Sequence, residues 1–436
     1  IRLPDEFYIL ATASAAEESR VLKMGESFGI FDRYGDVLQY GLGEQGIYHE
    51  GTRFLSYLEL RLGKIRPFLL SSMIKEDNIL FTVDLTNPDV YVDGTIALRR
   101  GDLHLYRSKF IWQAVCYERL QLVNYSLSPI EISFAIHFDA DFADIFEVRG
   151  VKREKRGRRL EDEVDANRVT LSYLGLDDML RQTIIEFSPA PDKLASAEAS
   201  FHRVLNPRKH EAFLVSYACT SNGVVPARRA VELALKQAEQ ALTAYRAEEC
   251  QIRTSNHEFN GWLERSYADI HMMITDSQGL YPYAGVPWFS TVFGRDGILT
   301  SWELLWSFPR VARGVLSYLA ETQATEVISE RDAEPGKILH ETRRGEMATL
   351  GEIPFDRYYG STDSTPLFVM LAGAYIARTN DVEFARWIWP HVKRALDWIK
   401  EYRDVVGDGF VETLRGSSHG YVQQGCENSW DSVLPQ

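Results

Sequence analysis

The spacing of apolar residues changes once along this chain, and that change limits what it can fold into. From about residue 7 to 220, segments such as FGIFDRYGDVLQYGLG, SYLELRLGKIRPFLLSS, ILFTVDLTNP, LHLYRSKFIWQAVCYERLQLVNYS, IEISFAIHF, RVTLSYLG and QTIIEFSPAP alternate apolar with polar positions. They are rich in β-branched and aromatic residues and break at Gly, Asn-Pro or Asp-Gly, which predicts an antiparallel β-sandwich. From 225 onward the spacing is helical. VPARRAVELALKQAEQALTAYRAEE carries Val231, Leu233, Leu235, Ala238, Leu242 and Tyr245 near one helical face, with Pro226 placed as a helix start. The segments FNGWLERSYADIHMMIT, RDGILTSWELLWS, RVARGVLSYLAETQA, STPLFVMLAGAYIART and VEFARWIWPHVKRALDWIKEYRD continue that period with no strand-rich interruption. The predicted organisation is α+β and multidomain: a β-sandwich over 1–222, a helical linker over 223–250 and an all-α domain over 251–436.

Composition narrows the function. The 436 residues carry a formal net charge of -14, so the overall field repels nucleic acid and anionic lipid, and no run is apolar enough for a membrane span. Cys116, Cys219, Cys250 and Cys426 lack CxxC spacing, which argues against a zinc site or a disulfide framework and predicts a reducing, cytoplasmic setting. The chain opens IRLPDEFYIL with neither an initiator Met nor a signal-peptide pattern, so targeting is not legible. The run GVKREKRGRRLEDEV reads as a solvated loop rather than a polyanion site.

No phosphate loop, HExxH, GxSxG or dinucleotide fingerprint occurs, and no metal or organic cofactor is expected. Carboxylates and aromatic rings remain, concentrated in long connections between helices. Flat aromatic faces fit sugar rings, and Asp, Glu and Arg hydrogen-bond their hydroxyls, so the expected partner is a neutral polyol. PWFSTVFGRDGILTSWELLW sets Arg295 and Asp296 between two glycines, with Trp288 and Phe289 as candidate walls. Asp296 is equally placed as a helix cap or first-turn acid. The next connection adds His340, Glu341, Arg343, Asp356, Arg357, Tyr358, Tyr359 and Asp363, the last also a candidate cap. SSHGYVQQGCENSWDSVLPQ places Glu427 and Asp431 beside Trp430, where an aromatic wall would raise a carboxyl pKa and suit a general acid; a helix start with acidic first-turn residues is the other reading.

Taken together these motifs resemble the bacterial glycogen-debranching, or amylo-α-1,6-glucosidase-like, family. GIYHEGTRFLSYLELRLGKIRPFLLSS followed by LTNPDV resembles its N-terminal domain, and PWFSTVFGRDGILTSWELLW, GEIPFDRYYGSTDSTPLF and HGYVQQGCENSWDS resemble the start of its glucosidase domain. The resemblance implies an N-terminal β-sandwich followed by an (α/α)6 toroid, and hydrolysis of α-glucosidic linkages in glycogen-like glucans, with Arg295 and Asp296 holding the innermost sugar. Where the family typically reads Q-G-W-K-D-S this chain reads QGCENS, so Asn428 stands at the position of the general acid, and an amide cannot protonate a leaving group. Glu427 or Asp431 could take that role, with Asn428 and Trp430 lining the sugar.

Residues 251 to 436 suffice for about six helices, about half of the toroid that the resemblance implies, and the base that inversion requires is a residue the resembled family places late in the toroid, beyond this stretch. The expectation is that the missing half lies in the same full-length protein or in another chain. A non-catalytic glucan-binding homologue and a phosphate-dependent phosphorylase are the alternative readings.

Overall fold

The computed structural model describes residues 19–403, apart from 39–42, 93–94, 228, 248, 277–278 and 354–355. Two compact units emerge, Ile1–Ala244 with Gly261–Met272, and Tyr245–Asn260 with Met273–Gln436.

The first unit is antiparallel β-structure. A nine-stranded sheet runs Arg158–Arg159, Arg168–Leu174, Leu180–Ser188, His210–Ser221, Val115–Asn124, Leu103–Trp112, Phe81–Thr86, Phe68–Ile74, with Glu163–Val164 also paired to Arg168–Leu174. A four-stranded sheet orders Lys193–Ala195, Glu198–Leu205, Ile130–Asp139 and Tyr57–Leu62, and another is built from Arg20–Met24, Ser27–Phe31, Gly46–His49 and Thr52–Leu55. Alternation decides which face is buried: Leu103, Leu105 and Ile111 turn inward with Phe213 and Val215 of the same sheet, and they share one core with Leu58, Phe134, Ile136 and Phe201 from the four-stranded sheet.

Inside that core lies a charged network. Arg107 Nε donates to Glu118 Oε1 at 2.7 Å and Arg107 Nη1 to Asp36 Oδ1 at 2.6 Å; Lys109 pairs with Glu118, and the Tyr217 hydroxyl donates to Glu118 Oε2 at 2.9 Å. Arg66 closes the set on Asp32 and Asp36. Burial alone would raise the Glu118 carboxyl, but the Arg107 and Lys109 charges override it and hold it at about 2.

Three expectations are corrected. LHLYRSKFIWQAVCYERLQLVNYS is a hairpin, turning at Gln113 and Ala114, both at positive φ, where no glycine advertises a break. The first long helix begins at Val231, not at Pro226. The helical region also contains strand pairs, Ile274–Asp276 with Leu280–Pro282 and Glu341–Thr342 with Arg357–Tyr358, too short to leave a periodic signal. The basic run at 152–159 is locally paired: Arg156 and Arg153 meet Glu147, and Arg159 meets Asp162.

In the second unit, helices Gly294–Leu304, Pro309–Glu321, Ser364–Thr379 and Val382–Trp398 pack as neighbours. Pro309 occupies the first helical turn, where its missing N–H costs nothing, and Val311, Ala312, Val315, Leu316 and Leu319 form that helix's buried stripe. Phe384, Ile388, Val392, Ala395 and Trp398 do the same on the last helix.

Candidate functional site

The two glycines around Arg295 and Asp296 have separate steric causes. Gly294 donates its N–H to the His340 carbonyl at 2.7 Å, so the helix begins directly against the 339–340 backbone. A Cβ there would overlap the Leu339 carbonyl oxygen and stand 3.1 Å from its carbon. At Gly297 a Cβ would meet the Tyr281 hydroxyl at 2.5 Å and its ring at 2.6 Å, and that ring is anchored by its hydroxyl donating to the Phe293 carbonyl at 2.9 Å. Backbone and ring approach so closely only because both positions lack a side chain.

This seating buries Arg295, 6% exposed, while leaving Asp296 half-buried in the first turn. Arg295 Nη2 lies 3.7 Å from Asp296 Oδ2 and Nη1 lies 3.7 Å from Asp363 Oδ2. Those separations are ion-pair distances longer than hydrogen bonds, so the guanidinium is bracketed by two carboxylates without being saturated by them. Neither acid caps a helix. Phe293 is the N-cap of Gly294–Leu304 with no side-chain bond, and Asp363, at the N-cap of Ser364–Thr379, makes none either. Ser361 takes the capping part: its Oγ accepts from the Ser364 N–H at 3.2 Å and also bonds Asp363 Oδ1, fixing that carboxylate. Sequence reasoning missed Ser361, although the hydroxyl-rich GSTDST was its available signal.

Around this trio the other expected residues divide. His340 stacks edge-on between Phe293 and Tyr358, at 5.9 and 6.0 Å, and Phe289 meets Phe293 at 5.7 Å. Burial of the His340 ring, then the charges of Arg295, Arg343 and Lys337, push its pKa down to about 3 even though part of its surface stays accessible, so the imidazole is neutral. Arg343 binds Glu341 Oε2 at 3.1 Å and the Trp288 carbonyl at 2.7 Å, tying the Trp288–Phe289 turn to the 341–342 strand. Tyr359 is buried and donates its hydroxyl to the Thr322 carbonyl at 2.7 Å; Tyr358 donates to Asp332 at 2.7 Å. Asp356 pairs with Arg331 at 2.9 Å. Arg295, Asp296, Asp363 and His340 are thus brought together, and Arg343 and Glu341 brace them. Glu427, Asn428, Trp430 and Asp431 lie outside the described residues.

Comparison with known proteins separates the two halves of the chain. Residues 22–215 match the N-terminal domain of (some) glycogen debranching enzymes. No curated protein matches the chain. The solved structure named "Putative kojibiose phosphorylase from human microbiome" superposes with a TM-score of 0.56 at 11% identity, over 89% of this chain and 58% of that one. The chain therefore spans less than two thirds of that protein and shares its fold, a β-sheet domain followed by a helical region. A galactose mutarotase related enzyme from Lactobacillus acidophilus matches 48% of this chain and 100% of its own at 9% identity, with a TM-score of 0.29. The matched domain family and the superposed protein are both named for carbohydrate-active enzymes. Among the described residues no helix is long and apolar enough to cross a membrane.

Proposed function

We propose that this chain is part of a glucoamylase-like glycoside hydrolase acting on α-glucosidic linkages, with the α-1,6 branch stubs of glycogen-like glucans as substrate. The observation that carries the reading is Arg295 held 3.7 Å from each of two half-buried carboxylates, Asp296 and Asp363, beside the Trp288–Phe289 turn. Such a trio offers fixed donors and acceptors to vicinal hydroxyls, and the rings supply an apolar platform. Inversion then needs an acid at the glycosidic oxygen and a base for water, about 6.5 to 9.5 Å apart. Asp431 or Glu427 is assigned the first part. A soluble α-glucan is the expected partner and a cytoplasmic setting the expected location.

Phosphorolysis is the second reading, favoured by the fold shared with a protein named as a phosphorylase. Incubating the full-length protein with isomaltose-type and branched dextrin substrates, with and without inorganic phosphate, separates the two. Free glucose without phosphate supports hydrolysis; turnover that needs phosphate refutes it. Asp363→Asn is expected to weaken sugar binding about tenfold, the cost of one charge-assisted hydrogen bond. Asp431→Asn or Glu427→Gln is expected to stop turnover while binding persists, and full activity in both variants would refute the acid assignment.

A further inference from the structure

The nine-stranded sheet buries one face, and its other face is polar and organised. Cross-strand partners share a face, so the ladder Ser71, Asp84, Tyr106, Gln121 forms one row across four strands. Beside it run Thr82, Ser108 and Arg119, and on the other side Thr86, His104 and Val123. Helix Val231–Arg246 covers one end, where Val231, Ala234 and Leu235 pack on Phe110, Tyr117, Ile184 and Ala218. The polar rows continue beyond that apolar patch.

A solvated antiparallel face is polar by default, but three features here exceed that default. Asp84 is held from two sides, by Ser71 Oγ donating to Oδ2 at 2.7 Å and by His104 Nε2 at 3.0 Å from Oδ1. The Arg119 Nε is buried and meets no hydrogen-bond partner among the described residues, a costly state for a charged donor. Its counterpart on the inner face, Arg107, binds two carboxylates and two carbonyls. Aromatic surface flanks the rows: Tyr125, 64% exposed, sets its ring edge-on to His104 at 6.1 Å, and Phe68 is 43% exposed under the Arg100 guanidinium.

We propose that Asp84, Tyr106, Arg119 and Gln121, side by side on the open face of the sheet, bind a hydroxyl-rich neutral ligand, a segment of oligosaccharide chain. Arg119 supplies donors, Asp84 supplies acceptors, and Tyr106 and Gln121 supply both. A phosphate would sit against Asp84, and a bare cation would sit against Arg119. Neutral hydroxyls suit both charges, and Tyr125 and Phe68 offer rings for sugar faces. The choice of an α-glucan rests on the function proposed for the helical unit; the arrangement of the polar rows does not.

The test is calorimetric titration of the chain with maltoheptaose, comparing wild type with Arg119→Gln, Tyr106→Ala and Arg295→Ala. Two classes of site are expected. Each sheet variant should weaken one class by about tenfold or more, as loss of a charged or stacking contact would, and Arg295→Ala should leave that class unchanged. If the sheet variants titrate like wild type while Arg295→Ala loses binding, the sheet site is refuted and the glucosyl site stands. If the sheet variants lose binding and Arg295→Ala does not, the sheet site stands and the function proposed above fails. Phosphate binding sensitive to Arg119→Gln, without oligosaccharide binding, also refutes it. Should a variant misfold, wild-type hydrogen exchange decides: maltoheptaose should slow exchange in Phe81–Thr86, Leu103–Trp112 and Val115–Asn124, and unchanged rates there overturn the inference.

Discussion

Replacing Gly294 by alanine tests whether the geometry of the candidate site is set by a backbone contact. The added Cβ would overlap the Leu339 carbonyl oxygen and come within 3.2 Å of Ser364 Oγ, so the helix start must move away from the 339–340 segment. That movement breaks the 2.7 Å bond from Gly294 N–H to the His340 carbonyl. Overpacking costs about 1–3 kcal/mol, and leaving a buried donor and acceptor unpaired costs about 1–3 kcal/mol more. Alanine's helix propensity returns up to about 1 kcal/mol, for a net loss of about 1–6 kcal/mol. Gly373 is the control, since it sits within helix Ser364–Thr379 where an added Cβ would meet nothing within 4 Å, and Gly373→Ala should stabilise by about 0.5–1 kcal/mol. Denaturant unfolding followed by tryptophan emission is the assay, because among the described residues Trp288, Trp302, Trp306, Trp387, Trp389 and Trp398 lie in the second unit and only Trp112 and Trp262 in the first. Oligosaccharide binding should fall along with stability, because Arg295 moves with the helix start while Asp363 does not. Wild-type midpoint and affinity in Gly294→Ala would refute the account.

Glu118→Gln should destabilise the β-structure by about 3–5 kcal/mol, because Arg107 loses one of its two carboxylates and Lys109, whose pKa burial already lowers, must either hold an unpaired charge in the core or give up its proton; chemical unfolding followed by circular dichroism measures it. The wild type should lose that stabilisation in acid: the Glu118 pKa is depressed in the fold, so its contribution is complete above the ordinary carboxyl pKa near 4.5 and disappears as pH falls towards about 2. His340 acts over a higher window. Its folded pKa of about 3 lies below the ordinary 6.5, so the unfolded chain binds the extra proton, and stability should fall by up to about 1.4 kcal/mol per unit as pH drops below 6.5. His340→Gln should flatten that slope in pH-dependent unfolding, and an unchanged slope would contradict the neutral ring.

The fold class was readable because alternation and helical spacing each persist over many residues, as in Leu103–Trp112 and Pro309–Glu321. Turns without glycine were not: Gln113 and Ala114 take positive φ because two ten-residue strands pair across them, a tertiary demand that local chemistry does not display. The site was partly readable. Arg295 and Asp296 stood out by their isolation among rings, but the sequence left open whether Asp296 and Asp363 cap helices or face the cation. That choice depends on Ser361, which caps the helix start and releases Asp363, and on Gly294, which sinks Arg295 against the backbone of a distant segment. Separations of 46 and 68 residues between such groups leave no periodic trace.

Local charge bears on which nucleophile could enter this site. Arg343 is tied to Glu341, Lys337 Nζ donates to the Asp332 carbonyl at 2.7 Å, and His340 is neutral, so these groups present little positive charge to a ligand. Arg295 faces it with two carboxylates alongside, a net excess of one negative charge in the trio. A dianionic phosphate brought to within about 4 Å of that excess would be repelled by roughly 4 kcal/mol per unit charge at an effective dielectric of 20, whereas water and neutral hydroxyls meet no such barrier. Phosphorolysis would therefore require further cations from residues other than these, set on the far side of the sugar from Asp296 and Asp363. Hydrolysis makes no such demand, and the bracketed arginine suits the neutral ring that hydrolysis and phosphorolysis both have to hold.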